Sequence, residues 1–286
     1  MTMITDIIFY KMSGSGNDFV LIDNRSGKIA ADKASELARS ICRRKLSVGA
    51  DGLILIENDE EVDFRWQFYN ADGSSAEMCG NGGRCAARLA YMLGISGRVL
   101  SFRTAAGIIR AEVLEQRVKL QITQPRELVL DESLELKQGT VTVHRVNTGV
   151  PHAVLLVDSQ DALERIDVEE MGREIRYHQR SMPAGTNVNF IALGNDGSVR
   201  IRTYERGVEG ETLACGTGAA AAALVAAAKG LSQPPTDIHV RSGEVLTIHF
   251  EAAADLPETV YLEGEAALVY EGRLAIESLQ HLQLMS

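Results

Sequence analysis

The chain is short of basic residues, of cysteine and of long apolar runs. Its 286 residues carry 29 Lys and Arg against 39 Asp and Glu, a net charge of −10. Binding a phosphate backbone needs a basic footprint, so nucleic acid is not an expected partner. No apolar run reaches the roughly 18–20 residues needed to cross a bilayer, so no membrane span is expected. The opening MTMITDIIFY lacks the basic region and apolar core of a secretory leader, and its first six residues match the start of β-galactosidase, a common vector leader. The four cysteines, Cys42, Cys79, Cys85 and Cys215, include no close C-x-x-C pair. That spacing suits neither a zinc site nor a disulfide scaffold, and reduced thiols in a cytoplasmic protein are the expectation. Cys42 and Cys85 sit in helical patterns and read as small buried hydrophobes. No phosphate-binding loop or Schiff-base lysine stands out, so no cofactor is expected.

What the chain does contain is a repeat. TGVPHAVLLVD (148–158) aligns with SGSGNDFVLID (13–23) at an offset of 135. GTNVNFIAL (185–193) aligns with GADGLILIE (49–57) at 136, and RTYERG (202–207) with QFYNAD (67–72) at 135. ACGTGAAAA (214–222) aligns with MCGNGGRCA (78–86) at 136. Four matches in one order near one offset indicate two copies of one supersecondary plan. Each copy reads as strand, helix, two strands, turn, central helix and further strands. ADKASELARSICRR has helical spacing with Asp32 as its expected N-cap. The segments after each central helix alternate as antiparallel strands with one buried face. Pro125 and the acidic stretch behind it read as a linker. The run GAAAAALVAAA is apolar on every side, which requires a helix buried on every side. The inside of a curved sheet is the natural place, and alanine keeps such a helix thin. The expected fold class is therefore α/β of the α+β type. It has two pseudo-symmetric domains, 1–125 and 126–272, each a curved, mostly antiparallel sheet around a central helix.

Cys79-Gly80-Asn81-Gly82 and Cys215-Gly216-Thr217-Gly218 have one form. Each follows a polar turn and opens a helix. The first N–H groups of a helix have no internal partner and, with the helix dipole, favour an anion. A thiol there is expected to be shifted toward thiolate. One such cysteine is commonly without function, but two at repeat-equivalent positions suggest a pair. If the copies face each other, one group can take a proton from a carbon and the other can return one on the opposite side. That is a two-base racemase or epimerase. The α-proton of an amino acid is a far weaker acid than a thiol, so the carbanion needs the two helix N-termini as electrostatic support.

KMSGSGNDFVLID, GADGLILI, FYNADGSSAEMCGNGGRCAARLAY, NTGVPHAV and RTYERGVEGETLACGTGAAAA resemble the diaminopimelate epimerase family, in family order from about residue 10 to 225. The resemblance implies the two-domain epimerase fold, with the tail 273–286 returning to the first domain. It implies conversion of LL-2,6-diaminopimelate to the meso isomer without cofactor or metal, in lysine and peptidoglycan synthesis. Cys79 and Cys215 match the catalytic pair. Gly80, Asn81, Gly216 and Thr217 match the cradle of the reacting carboxylate. Asn17, Asn70, Asn187, Glu205 and Arg206 match further substrate contacts: Arg206 suits a distal carboxylate and Glu205 an ammonium group. On their own, Asn17 and Asn70 read equally as turn residues, and Glu205 with Arg206 as a solvated charge pair. His152 occupies the repeat position of Asn17, as a supporting residue or a packing histidine. Val150 stands where many members have Asn, and Gly52 where some have Gln. Ser13-Gly14 replaces a His-Gly start, and ERGVEGE is one residue longer than the shorter form, with Glu209 as the extra residue. The expected partner is a small amino acid, and a homodimer is compatible with the pattern. A related epimerase acting on proline, hydroxyproline or histidine, or a carboxylate-binding module without activity, remains an alternative on the residues alone.

Overall fold

The computed structural model describes residues 4–194, 196–252, 256–275 and 279. The chain divides into two compact units, the first taking residues up to Leu120 and again from Gly264, the second Gln121–Glu263.

The first unit holds β1 (Ile4–Gly14), β2 (Asn17–Asp23), α1 (Ala31–Ile41), β3 (Gly52–Glu57), β4 (Phe64–Asn70), α2 (Gly80–Met92), β5 (Val99–Thr104), β6 (Gly107–Leu114) and β7 (Arg117–Gln121). β3 is buried along its whole length. Its side chains alternate between two cores, as a pleated strand requires. Leu53 and Leu55 join Leu37, Ala38 and Ile41 of α1 on one face. Ile54 and Ile56 join Cys85, Ala86, Leu89 and Ala90 of α2 on the other. Covering on both faces fits the parallel β2–β3 pairing. Aromatic rings fill the space around α2, with Phe64 and Phe102 stacked at 4.9 Å. Asp32 lies in the first turn of α1, but the N-cap is Ala30, without a side-chain cap. The expected cap is thus misplaced: the helix starts early enough that Asp32 acts on the dipole instead.

The second unit holds β8 (Arg126–Leu136), β9 (Gly139–Asn147), β10 (Pro151–Leu156), α3 (Gln160–Arg165), α4 (Val168–Arg176), β11 (Asn187–Leu193), β12 (Val199–Glu205), β13 (Gly210–Thr212), α5 (Gly216–Ala228), β14 (Thr236–His239), β15 (Val245–Phe250) and β16 (Val260–Glu265). The segment after Pro125, expected as a linker, is an eleven-residue strand antiparallel to β9. Its alternation of exposed and half-buried positions hides the strand behind acidic residues.

The pairings repeat between the units. In the first, β1–β2 are antiparallel, β2–β3 parallel, β3–β4 antiparallel, β4–β5 parallel, and β5–β6 and β6–β7 antiparallel. In the second, β9–β10, β10–β11, β11–β12, β12–β14, β14–β15 and β15–β16 follow the same alternation. Each repeat gains a strand at the same edge: β8 beside β9, and Ala267–Ala275 beside β1. The second addition assigns residues from Gly264 to the first unit, although the alternation of 236–272 had grouped them with the second copy. Of the expected tail, residues 276–278 and 280–286 lie outside the described residues, as do 1–3 of the leader reading.

α5 packs against β9, β10, β11, β12, β14 and β15, so the sheet wraps it. Ala219–Ala223 and Ala226 are enclosed by Val146, Ile191, Ile201, Ile238, Leu246, Ile248 and other β-branched or leucine side chains. The strands supply the bulk, and the helix supplies almost none. An Ala222→Leu substitution is therefore expected to destabilise the protein by about 1–3 kcal/mol through overpacking. Ala228→Leu, at the exposed end of the same helix, should change stability by less than about 0.5 kcal/mol. Urea unfolding of both variants checks the difference, and equal effects would contradict the enclosed helix.

Candidate active site

Both central helices start immediately after a cysteine in extended conformation. Cys79 has φ −146° and ψ 119°, and Cys215 has φ −126° and ψ 109°. Each sulfur therefore stands at the N-cap, where a side chain can reach unpaired N–H groups.

At the first mouth, Cys79 Sγ accepts from the Gly82 N–H at 3.5 Å. A Cβ added to Gly80 would meet nothing within 4 Å, so the backbone there is open to a ligand. Asn81 and Asn17 meet: Asn81 Nδ2 donates to Asn17 Oδ1 at 2.7 Å. Asn17 Nδ2 then donates to Asp51 at 2.9 Å, and Arg84 donates to Asn81 Oδ1 at 2.9 Å. Asn70 ends β4 just before a turn, its amide donating to Ser74 Oγ at 2.9 Å. No hydrogen bond among the described residues joins it to the Asn17–Asn81 pair. Gly52 pairs with Asn70 in register. An added Cβ there would lie 2.6 Å from the Phe68 ring and 2.7 Å from the Tyr69 carbonyl. Packing thus leaves no space for a longer side chain at position 52.

At the second mouth, Cys215 is buried and its Sγ lies 3.5 Å from Thr217 Oγ1. Burial pushes its thiol up to about 12, and the nearby Glu205 adds to the rise; Thr217 and the N–H groups of Thr217 and Gly218 pull the other way. The expected shift toward thiolate is therefore reversed here, because loss of water outweighs the helix start. Glu205 is itself raised by burial. The Thr217 carbonyl accepts from Thr148 Oγ1 at 2.9 Å. Asn187 Oδ1 accepts the Arg206 backbone N–H at 2.7 Å, and Arg206 donates to the Ala184 carbonyl at 3.0 Å. Arg206 and Asn187 thus belong to one hydrogen-bonded structure.

His152 is 1% exposed. Its Nδ1 lies 3.0 Å from Asn189 Nδ2, and its buried Nε2 has no hydrogen-bond partner among the described residues. Burial, helped by the Arg206 charge, lowers its pKa to about 3, so the ring is neutral.

Sequence reading passed over Asn189 and Arg84, and named Glu209 without a role. Asn189 donates to the Ala153 carbonyl and accepts from Thr203 Oγ1 at 3.0 Å. A Cβ on Gly218 would come within 2.5 Å of Asn189 Oδ1, so this polar cluster abuts the start of α5. The signal was available: Asn189 shares a strand face with Ile191, where the alternation calls for an apolar residue. Arg84 is fully buried in α2, yet a charge inside a helix gives no pattern to read. Glu209, the extra residue, has φ +59°. Its carboxylate accepts from Gly207 N–H at 3.1 Å, Tyr177 at 3.0 Å, Arg176 at 3.1 Å and Tyr204 at 3.2 Å. The insertion anchors the turn after Arg206 to the end of α4.

Comparison with known proteins gives the family. The family model for diaminopimelate epimerase matches residues 9–127 and 144–269, one match on each repeat. The chain belongs to the diaminopimelate epimerase family. A relative from Aquifex aeolicus named diaminopimelate epimerase is 47% identical, covering 96% of this chain and 99% of its own. One from Archaeoglobus fulgidus with the same name is 38% identical over 96% and 99%. Among solved structures, a Bacillus anthracis phenazine biosynthesis protein of the PhzF family aligns with TM-score 0.68 at 15% identity, over 94% of this chain and 98% of that one. A hydroxyproline epimerase from Agrobacterium vitis aligns with TM-score 0.64 at 17% identity, over 94% and 92%. These likenesses show the two-repeat epimerase fold.

A histidine whose folded pKa is depressed loses stabilising effect as pH falls, since the unfolded chain takes a proton the folded state refuses. For His152 the window runs from about 6.5 down toward about 3. Wild-type stability should therefore fall more steeply between about pH 6.5 and 4.5 than that of His152→Gln. Denaturant titrations across that range check it, and parallel slopes would show that His152 titrates freely.

Proposed function

We propose that this protein epimerises LL-2,6-diaminopimelate to the meso isomer with Cys79 and Cys215 as its proton-transferring pair. The observation that carries the reading is the cysteine N-cap repeated at equivalent positions in a chain of this family. Inversion at carbon needs one group that removes a proton and one that returns it on the opposite face. Cys215, held as a neutral thiol by burial, is the donor in the resting state. Cys79 is the acceptor, already taking an N–H from Gly82.

In the LL-to-meso direction the Cys79 thiolate takes the α-proton and becomes a thiol. The C–H electron pair is left on the α-carbon and delocalised into its carboxylate. Cys215 then gives its S–H proton to the opposite face and becomes the thiolate, and the meso-to-LL direction runs these transfers backwards. The charge that builds on the carboxylate is met by the first N–H groups of a helix, at Gly80-Asn81 and Gly216-Thr217. Such fixed donors need no reorganisation when the charge develops, which makes them effective in a water-poor site. Asn17, Asn70, Asn187, Glu205 and Arg206 hold the remainder of the substrate: Arg206 a carboxylate, Glu205 an ammonium group. His152, neutral and buried, supports the Asn189 cluster beside Cys215.

Incubation of the protein with LL-diaminopimelate in D₂O, without added pyridoxal phosphate, should place one deuterium at an α-carbon and yield the meso form. Retention of every α-hydrogen overturns the proposal. Cys79→Ala and Cys215→Ala should each abolish epimerisation while leaving the fold intact by circular dichroism. A near-normal rate in either variant removes the two-base mechanism.

A further inference from the structure

The amides of Asn17 and Asn81 sit in a hydrogen-bonded row with a group of fixed polarity at each end. Arg84 is at one end, fully buried, and its guanidinium can only donate. It donates to Asn81 Oδ1 at 2.9 Å and also to Ser15 Oγ. Asp51 is at the other end, and a carboxylate can only accept. It accepts from Asn17 Nδ2 at 2.9 Å. Between them Asn81 Nδ2 donates to Asn17 Oδ1 at 2.7 Å. An asparagine amide can turn over, exchanging its oxygen for its nitrogen at little cost. Here neither can. A flipped Asn81 would present N–H to the guanidinium, and a flipped Asn17 would present oxygen to the carboxylate.

We infer that Arg84 and Asp51 are positioning residues that wire Asn81 and Asn17 as N–H donors, making the first helix mouth selective for a carboxylate of the substrate. Each amide has two N–H groups and spends one within the row. Each carbonyl oxygen is already engaged, by Arg84 and by Asn81. What the row offers an incoming ligand is therefore the second N–H of each amide. It adds to the N–H groups of the helix start, which also favour an anion. The two amides offer a substrate ammonium group only oxygens that are already engaged. Preorganisation supplies the benefit, because donors held in place before binding cost no ordering when the ligand arrives. The inference rests on the proposed function for the identity of the substrate, but not for the wiring itself.

Asp51→Asn keeps shape and removes the acceptor-only character, which frees Asn17 to turn over. Asp51 also takes a surface ion pair from Arg44 at 2.8 Å, and Arg44 is 58% exposed. Arg44→Gln removes that ion pair while leaving the carboxylate, and so serves as the control. Asp51→Asn should raise KM for LL-diaminopimelate about tenfold or more, in line with a hydrogen bond to a charged group. Arg44→Gln should leave it within about twofold. Thermal melting should move little in either. Equal KM in wild type and Asp51→Asn, or equal rises in both variants, overturns the wiring. A second readout needs no activity. The side-chain amide of Asn17, assigned by its loss in Asn17→Asp, should exchange slowly with solvent in nitrogen-15 NMR spectra and markedly faster in Asp51→Asn. Equal exchange also overturns the proposal. If wild type proves inactive the function reading fails, and the amide exchange still decides the wiring.

Discussion

The structure depends on one constraint: a helix enclosed by sheet must still satisfy the N–H groups at its start. Enclosure removes the water that would otherwise serve the first turn of α2 and α5. Side chains, the preceding residue or a ligand have to take that place. At both mouths the preceding residue is cysteine, a weak acceptor, and the next is glycine. Demand for an anion is thus left unmet at the point where the helix meets its surroundings. The same enclosure sets the composition of α5, whose alanines make room for the strands. It also fixes where the sulfur stands, since the helix cannot slide without breaking its packing.

Much of this was legible in the residues. An all-round apolar helix has one solution in a domain of antiparallel strands, and ACGTGAAAA with MCGNGGRCA gave the positions of both N-caps. The internal repeat carried the pairing order, because the same short strands recur between the same turn signals. What was not legible came from interactions with no sequence period. β8 was hidden because an edge strand with one solvated face reads as an acidic connector. Residues from Gly264 belong with β1 because edge pairing joins segments more than 250 residues apart, as in Ile8 with Arg273. Asn70 shows a turn signal and ends β4 at the turn, bonded to Ser74, so its place in the site is supported by the resemblance alone. The network from Arg84 to Asp51 spans residues whose separations follow no rule.

The expectation for the Cys215 thiol erred for a definable reason. A helix N-terminus lowers a thiol pKa only while some solvent or counter-charge remains to stabilise the thiolate. At Cys215 burial is nearly complete, and Glu205 places a carboxylate nearby. Desolvation and like-charge repulsion act together against ionisation, and one half-turn of N–H groups does not balance them. Glu205 is raised as well, so the two groups resist sharing negative charge between them.

The two mouths, though related by the repeat, are therefore supported differently. Charged residues stand behind the first: Arg84 and Asp51 reach its amides, and Lys11 and Arg44 hold Asp18 next to them. Behind the second stand the neutral groups Asn189, Thr203, Thr148 and an uncharged His152, with Glu205 the carboxylate near its sulfur. Repeat symmetry alone would give both sulfurs the same proton affinity, and two equal thiols would have no preferred resting state. Burial beside Glu205 raises the proton affinity of Cys215 on its own account. It does not favour one stereoisomer at equilibrium, because a catalyst cannot. In the proposed mechanism it decides which sulfur begins each direction of turnover: Cys79 starts from the resting enzyme, and Cys215 acts as base only after its proton has been transferred. Duplication provided two equivalent helix mouths, and divergence of their polar surroundings is what, in the proposed mechanism, separates an acid from a base.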